Sequence, residues 1–234
     1  MVKTRALLLR AVDYGEADRI VSLLTETEGV ISAIARGARR SRRRFSGTLQ
    51  SLCVLRVGLG RTRGSLGALE LAEVEEAFPA LLGDLGRMQQ AGDALRLVRH
   101  LVAERQAEPG LFALCVQLMR LLSERDAPPA ALPVCFELRA LSVVGFAPAF
   151  DACGSCGKRP SCTQSSEFDP RSGALRCRAC GGGPIRLGPE LRRRARLATT
   201  SAWVEAGKGC EHEDLTTLRR TAAAFRRLRC QLPE

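Results

Sequence analysis

Lysine is nearly missing from this chain: of 36 basic side chains, only Lys3, Lys158 and Lys208 are not arginine. With so much alanine beside it, arginine is partly the habit of a GC-rich genome, so position rather than number has to carry any inference from charge. Histidine is scarcer still, with His100 and His212 alone, and neither has an identifiable Cys or Ser partner for nucleophilic chemistry. His100, beside Leu101 in a helical stretch, reads as a surface or interhelix residue. No glycine-rich phosphate loop precedes a helix, because "GLGRTRG" lacks the Gly-Lys-Ser/Thr ending and lies between strands. The neighbouring carboxylates Glu75 and Glu76 have no companion at metal spacing and read as a solvated strand end. These absences argue against an enzyme.

Long apolar runs are missing too. Leu7 to Leu9 is too short for a secretory core and is followed by Arg10. No window approaches the roughly 18 apolar residues of a membrane span. A soluble cytoplasmic protein is expected, with no membrane partner. In such a reducing compartment, ten cysteines point to metal binding and buried thiols before disulfides.

What is present is positive charge, in one place. The chain carries a formal +11, which favours a polyanionic partner. Residues 1–69 hold thirteen basic and five acidic side chains, most of that excess. Arg36, Arg39, Arg40, Arg42, Arg43 and Arg44 lie within nine positions, in "RGARRSRRRF".

The same segment reads as five short strands. "GVISAIA" puts Ile31, Ala33 and Ala35 on one face, "SLCVLRV" does so with Cys53, Leu55 and Val57, and Gly29, Gly60 and Gly64 mark turns. A five-stranded oligonucleotide-binding (OB) barrel is the first candidate, and an SH3-like barrel reads much the same. From Leu81 the period turns helical, with Leu85, Met88, Leu95, Val98 and Leu101, then Leu111, Leu114, Leu118 and Leu121. "LPVCFELRALSVVGF" adds a third helix with Pro133 near its start. The tail returns to helix, with Leu215, Leu218, Ala222, Phe225 and Leu228 on one side. The expected class is α+β: an OB-fold barrel over 1–78, a helical domain over 79–150, a zinc-ribbon insertion over 151–188, and C-terminal helices over 189–234 completing the helical domain.

The ribbon carries the clearest chemistry. "CGSCG" from Cys153 is answered by "CRACG" from Cys177, so Cys153, Cys156, Cys177 and Cys180 can close a tetrahedron around structural Zn²⁺. Glycine after each second cysteine suits a turn needing positive φ. Two C-x-x-C pairs at ribbon spacing make a redox pair the weaker reading. Cys162 is either a bystander or an alternative ligand; Cys53, Cys115 and Cys135 sit in apolar patterns as core fillers, and Cys210 and Cys230 stay unassigned.

Two stretches resemble the RecO family of bacterial DNA repair and recombination-mediator proteins. The first is "DYGEADRIVSLLTETEGVISAIARGARRSRRRFSGTLQ", with Tyr14, Gly15, Glu16, Asp18, Arg19, Gly29, Gly37, Arg39 and Arg40 in the family's order. The second is "FELRALSVVGFAPAFDACGSCG" followed by "GALRCRAC". The resemblance implies an N-terminal OB barrel, a helical domain and a zinc ribbon. It implies binding to single- and double-stranded DNA, annealing of complementary strands, and work with RecR to load RecA onto DNA coated by single-strand-binding protein (SSB). An apolar groove in the helical body is the expected site for the C-terminal tail of SSB, since apolar peptides dock in such grooves, and the expected setting is cytoplasmic and nucleoid-associated. Arg36 stands where the family often has lysine, which keeps the charge and changes the hydrogen-bond geometry.

In that light the six arginines of the run become phosphate contacts at the mouth of the barrel, with Arg19 beside them. Tyr14 is a candidate for stacking on bases, and Phe45 is either a second stacker or a core anchor for the loop. So few aromatics predict binding that is charge-dominated and independent of sequence. A second basic patch, of Arg192, Arg193, Arg194, Arg196, Arg219, Arg220, Arg226 and Arg227, is the expected contact for a second strand. The competing expectation is a zinc-ribbon protein that contacts RNA or the ribosome and anneals nothing.

Overall fold

In the computed structural model the chain forms nine strands and seven helices among the residues the structure describes, which are 1–41, 44–45, 48–49, 52–63, 66–124 and 126–229. It divides into two compact units, Met1–Ala127 and Pro128–Glu234.

The first unit begins with β1 (Val2–Tyr14), β2 (Asp18–Thr25), β3 (Gly29–Ala35), β4 (Cys53–Arg63) and β5 (Leu66–Ala77), closed into a barrel in the order β1-β2-β3-β5-β4. The β3–β5 pairing is parallel and β1 closes on β4, which is the OB arrangement and not the antiparallel meander of an SH3-like barrel. The alternation read from the sequence is the core: Ala33, Ala35, Cys53, Leu55 and Val57 are buried inside, with Ile31 packed against them. Phe45 joins them at 3 % exposure, so it anchors the loop and does not stack on bases.

A bulge between Leu8 and Arg10 reverses the alternation of β1. Ala6 and Leu8 point into the barrel, whereas Arg10, Val12 and Tyr14, on the same parity, lie on the outer face beyond the bulge. On the barrel's other outer side, Leu7, Leu24 and Val54 are fully buried, where α2 (Leu85–Leu101) and α3 (Pro109–Leu122) contact β1 and β2. The short α1 (Pro79–Leu82) precedes them, and the Asp84 side chain caps α2 by accepting the Arg87 N–H at 3.0 Å. The segment after α2 returns to the barrel, where Arg105 N–H donates to the Val30 carbonyl at 2.8 Å and Ser32 Oγ to Glu104 at 2.6 Å. Gly29 has φ +72° and its absent Cβ would lie 2.0 Å from the Gln106 carbonyl oxygen, so the turn before β3 takes glycine for both reasons.

The second unit opens with α4 (Leu132–Val143), with proline in its first turn as the sequence suggests. Strands β6 (Ala149–Cys153), β7 (Ser166–Asp169), β8 (Ala174–Leu175) and β9 (Ile185–Leu187) form a small sheet in the order β6-β8-β7-β9. Helices α5 (Pro189–Ala198), α6 (Trp203–Gly207) and α7 (His212–Arg229) complete it. The sheet packs through aromatics: Phe150 stacks on Phe168 at 5.0 Å, and Phe168 meets Phe225 of α7 edge-on at 6.3 Å. On α7 the apolar side holds as far as Phe225, while Leu228, one residue from the helix end, is 41 % exposed.

Candidate metal centre and nucleic-acid interface

β6 delivers Cys153 to the first knuckle, and a 3₁₀ turn over Arg178–Cys180 shapes the second. Gly157 (φ +72°) and Gly181 (φ +97°) close the two turns, as expected for glycine after the second cysteine of each pair. The Sγ atoms of Cys153, Cys156, Cys177 and Cys180 all lie within 4.8 Å of one another, and the Cys156–Cys177 separation is 3.7 Å. A tetrahedron with ~2.3 Å metal–sulfur bonds has edges of about 3.8 Å.

The electrostatics point the same way. Backbone N–H groups, first that of Cys177 at 3.5 Å and then those of Cys156 and Ser155, hold the Cys153 thiol down to about 6. Cys180 is pushed up to about 12, chiefly by its hydrogen bonds with the Cys177 and Cys156 side chains. Crowded thiols cannot all ionise alone, whereas a divalent cation lets all four become thiolates. The donor set therefore fits a metal ion. Cys162 is exposed and stands outside this cluster. Burial drives Cys115 and Cys135 up to about 12, which suits inert core fillers. Cys210 is half-buried, and Cys230 lies outside the described residues.

On the barrel, the start of the arginine run is strapped to the tip of the β1–β2 hairpin. Asp18 Oδ1 accepts the Gly37 N–H at 2.7 Å, and the Arg39 N–H donates to the Ala17 carbonyl at 3.0 Å. The Arg39 guanidinium donates to the Glu16 carbonyl at 3.2 Å and pairs with Asp13 at 3.5 Å; Arg40 reaches Glu16 at 3.7 Å. Arg19 is also held by Asp13, at 2.9 Å. Arg44 donates to the Arg36 carbonyl at 3.1 Å and lies over the Phe45 ring. Arg36, Arg39, Arg40 and Arg44 are all exposed, and Arg42 and Arg43 lie outside the described residues.

Beside this run is a surface that sequence reasoning missed. Register places Val12 opposite Ile20, Ile20 opposite Ile34, and Ile34 opposite Ala68, all on the outer face of the barrel. Val12 is 42 % exposed and Tyr14 55 %. Arg10, Ser22 and Ser32 flank the row, and among the described residues no carboxylate pairs with Arg10 or Arg36. The signal was the second, non-core set of apolar residues in β2 and β3, hidden in β1 by the bulge.

The second basic patch is mostly engaged inside its own unit. Arg192 is buried, donating to the carbonyls of Ser161 and Gln164 and to Ser166 Oγ. Arg193 and Arg194 pair with Glu190 at 2.7 and 3.0 Å, and Arg194 also donates to the carbonyls of Ala206 and Gly209. Arg196 pairs with Asp151, Arg226 with Glu137, and Arg219 donates to the Ala130 carbonyl. Arg220 and Arg227 are exposed. Arg192, Arg194 and Arg196 of α5 and Arg219 and Arg226 of α7 thus fasten the unit together.

Comparison with known proteins agrees with this architecture. The family described as "Recombination protein O N terminal" matches residues 1–78, and "Recombination protein O C terminal" matches residues 82–227. The DNA repair protein RecO of Anaeromyxobacter sp. (strain K) is 44 % identical over 189 residues, covering 80 % of this chain and 74 % of that protein. That of Myxococcus xanthus (strain DK1622) is 38 % identical over 213 residues, covering 82 % of this chain and 86 % of its own. The relative from Symbiobacterium thermophilum is 38 % identical over 185 residues, with 77 % and 73 % covered. With both of its halves matched and relatives this similar along most of their length, the chain belongs to the RecO family of DNA repair proteins.

Proposed function

We propose that this protein is a recombination mediator that binds single- and double-stranded DNA through the outer face of its barrel and anneals complementary strands. With RecR, it would help to load RecA onto DNA coated by SSB, whose C-terminal tail it engages. The observation that supports this best is the apolar row Val12–Ile20–Ile34 beside exposed Tyr14, flanked by Arg10 and the arginine run. Bases lie over the apolar row and the ring while guanidinium groups meet phosphate. The row has no polar group to read a base edge, so binding is independent of sequence. Neutralising phosphate charge lowers the repulsion between two strands, which is what annealing needs. The metal is Zn²⁺, held by Cys153, Cys156, Cys177 and Cys180; its part is to fix the two knuckles. A role on chromosomal DNA fits a cytoplasmic, nucleoid-associated protein.

The test is binding of fluorescent single-stranded DNA across a salt series, for the native chain and for one with Arg39, Arg40, Arg42, Arg43 and Arg44 replaced by alanine. Each lost phosphate contact flattens the slope of log affinity against log salt by roughly 0.7 on a single strand. Arg39 and Arg40 contribute less than that, because Asp13 and Glu16 already hold them. An unchanged slope removes the run from the interface. Equal affinity for structured RNA, with no strand annealing, favours an RNA- or ribosome-contacting protein instead.

A further inference from the structure

The ribbon holds more positive charge than its metal centre uses. Residues 151–188 contain six basic and three acidic side chains. Four thiolates on one divalent ion keep two negative charges. Arg176 and Arg178 lie beside the second knuckle and offset them, although Arg176 is also paired with Asp169 at 3.7 Å and Arg178 loosely with Glu167 at 3.6 Å. Arg171 lies in the turn between β7 and β8, where its backbone N–H donates to Asp169, and Lys158, Arg159 and Arg186 remain. Among the described residues no carboxylate pairs with any of them, and Arg186 has only the Ser165 hydroxyl, at 3.5 Å.

These three cations are gathered by two adjoining recesses. One, of about 700 Å³, lies against the knuckles and is lined by Lys158 and Arg186 with Thr163, Gln164 and Ser165. The other, of about 650 Å³, is lined by Arg159 and by Arg193 and Arg196 of α5, which Glu190 and Asp151 already hold. Pro160 and Thr163 line both, so the loop carrying Lys158 and Arg159 is the ridge between them.

We propose that this ridge is a second nucleic-acid site, which takes the phosphate backbone of a DNA strand on Lys158, Arg159 and Arg186, while the hydroxyls of Thr163 and Ser165 donate to phosphate or sugar oxygens. The site offers cations and small polar groups, its carboxylates being paired, Glu167 with Arg178 and Glu190 and Asp151 with the arginines of α5, and no exposed aromatic or large aliphatic side chain; Leu175 and Phe150 in its walls are buried. That chemistry suits a sugar–phosphate chain, and it lacks the apolar pockets that anchor a peptide. The inference rests on the nucleic-acid reading of the barrel. It moves the second strand from the arginines of α5 and α7, most of which are spent on internal bonds, to the ribbon.

The experiment titrates the full chain with a short fluorescent oligothymidylate and reads stoichiometry by sedimentation and the salt slope by anisotropy. The variants are Lys158→Ala/Arg159→Ala/Arg186→Ala, the charge-keeping Lys158→Arg/Arg159→Lys/Arg186→Lys, and the barrel variant lacking its arginines. Metal content and melting temperature confirm that each is folded. The expected result is two strands per native chain, one for the alanine variant with a slope shallower by about 2 at roughly 0.7 per contact, and two again for the charge-keeping variant. Unchanged stoichiometry and slope in the alanine variant overturn the inference and leave the barrel reading untouched. Intact binding in the barrel variant overturns the barrel reading alone. Displacement of the second strand by oligo-aspartate as readily as by unlabelled oligonucleotide also overturns the proposal, and makes the ridge a site for an acidic polypeptide.

Discussion

Replacing Gly29 by alanine measures how firmly the segment after α2 is pressed onto the barrel. Gly29 sits at φ +72°, and the new Cβ would meet the backbone of Gln106 with O at 2.0 Å, C at 2.4 Å and N at 2.9 Å. None of these is the free end of a side chain. Backbone must move, yet the Arg105–Val30 hydrogen bond and the Ser32–Glu104 contact hold it in place. An L residue in the left-handed region costs about 1 kcal/mol, and overpacking a well-filled site adds about 1–3 kcal/mol. The sum is about 3 kcal/mol, or a fall of roughly 10 °C in melting temperature. Gly15 supplies the control, since its φ is +58° and nothing lies within 4 Å of a Cβ there. Gly15→Ala should cost only the backbone share, about 1 kcal/mol. Scanning calorimetry of the two variants isolates the contact. If Gly29→Ala melts within a degree or two of Gly15→Ala, the approach of Gln106 to this turn is soft and the reasoning fails.

Arg192→Leu leaves the Ser161 and Gln164 carbonyls without their donor, at a cost of about 2–4 kcal/mol. Limited proteolysis should then cut within residues 158–166, and Arg192→Lys should not rescue the loop, because one ammonium cannot reproduce the guanidinium's three bonds. Stripping the metal with a chelator at neutral pH should open both knuckles to tryptic cleavage after Lys158 and Arg178, Arg159 being shielded by Pro160. The emission of Trp203, buried against Phe136 at 6.2 Å and away from the knuckles, should not shift. Two hydrogen bonds from Arg120, at 2.8 and 2.7 Å, hold the Glu76 carboxyl below its ordinary value. Glu76 therefore stabilises the fold above the unfolded carboxylate range and loses that contribution as pH falls through the lowered value. For this largely exposed pair the gap in urea stability between native and Glu76→Gln should be about 0.5–1 kcal/mol at neutral pH and should close in acid.

The barrel and the cysteine centre were legible for the same reason: each is written in short-range spacing. Ala33 and Ala35, or Cys53, Leu55 and Val57, alternate because a strand does, and two C-x-x-C pairs ask for one metal wherever the sheet between them runs. The outer face was not legible. Val12, Ile20 and Ile34 are apolar residues on the face that alternation labels as solvent, and the bulge at Leu8–Arg10 breaks the parity that would have grouped them. The internal partners of the second basic patch were hidden for a complementary reason. A helical period shows that Arg192 or Arg226 lies off the apolar side of its own helix, but what meets that side comes from elsewhere, the 161–166 loop for one and Glu137 of α4 for the other. Phe45 was open between two roles because a lone aromatic after six arginines carries no period at all, and only the closed barrel settles it as core.

The pairing of Phe136 with Trp203 also sets a timetable for synthesis. α4 is made early in its unit, with Leu132, Val134, Phe136, Leu138 and Leu141 all destined for burial, yet it packs on α6, which leaves the ribosome about 60 residues later. At roughly 5–20 residues per second that interval is about 3–12 s. In the barrel β2 and β3 meet their neighbours at once, and only β1 waits comparably long, for β4, where Val2 pairs with Leu59. In the second unit the sticky surface during translation is therefore α4, and a trigger for chaperone capture on the nascent chain should appear once Val143 has emerged and vanish after α6 follows.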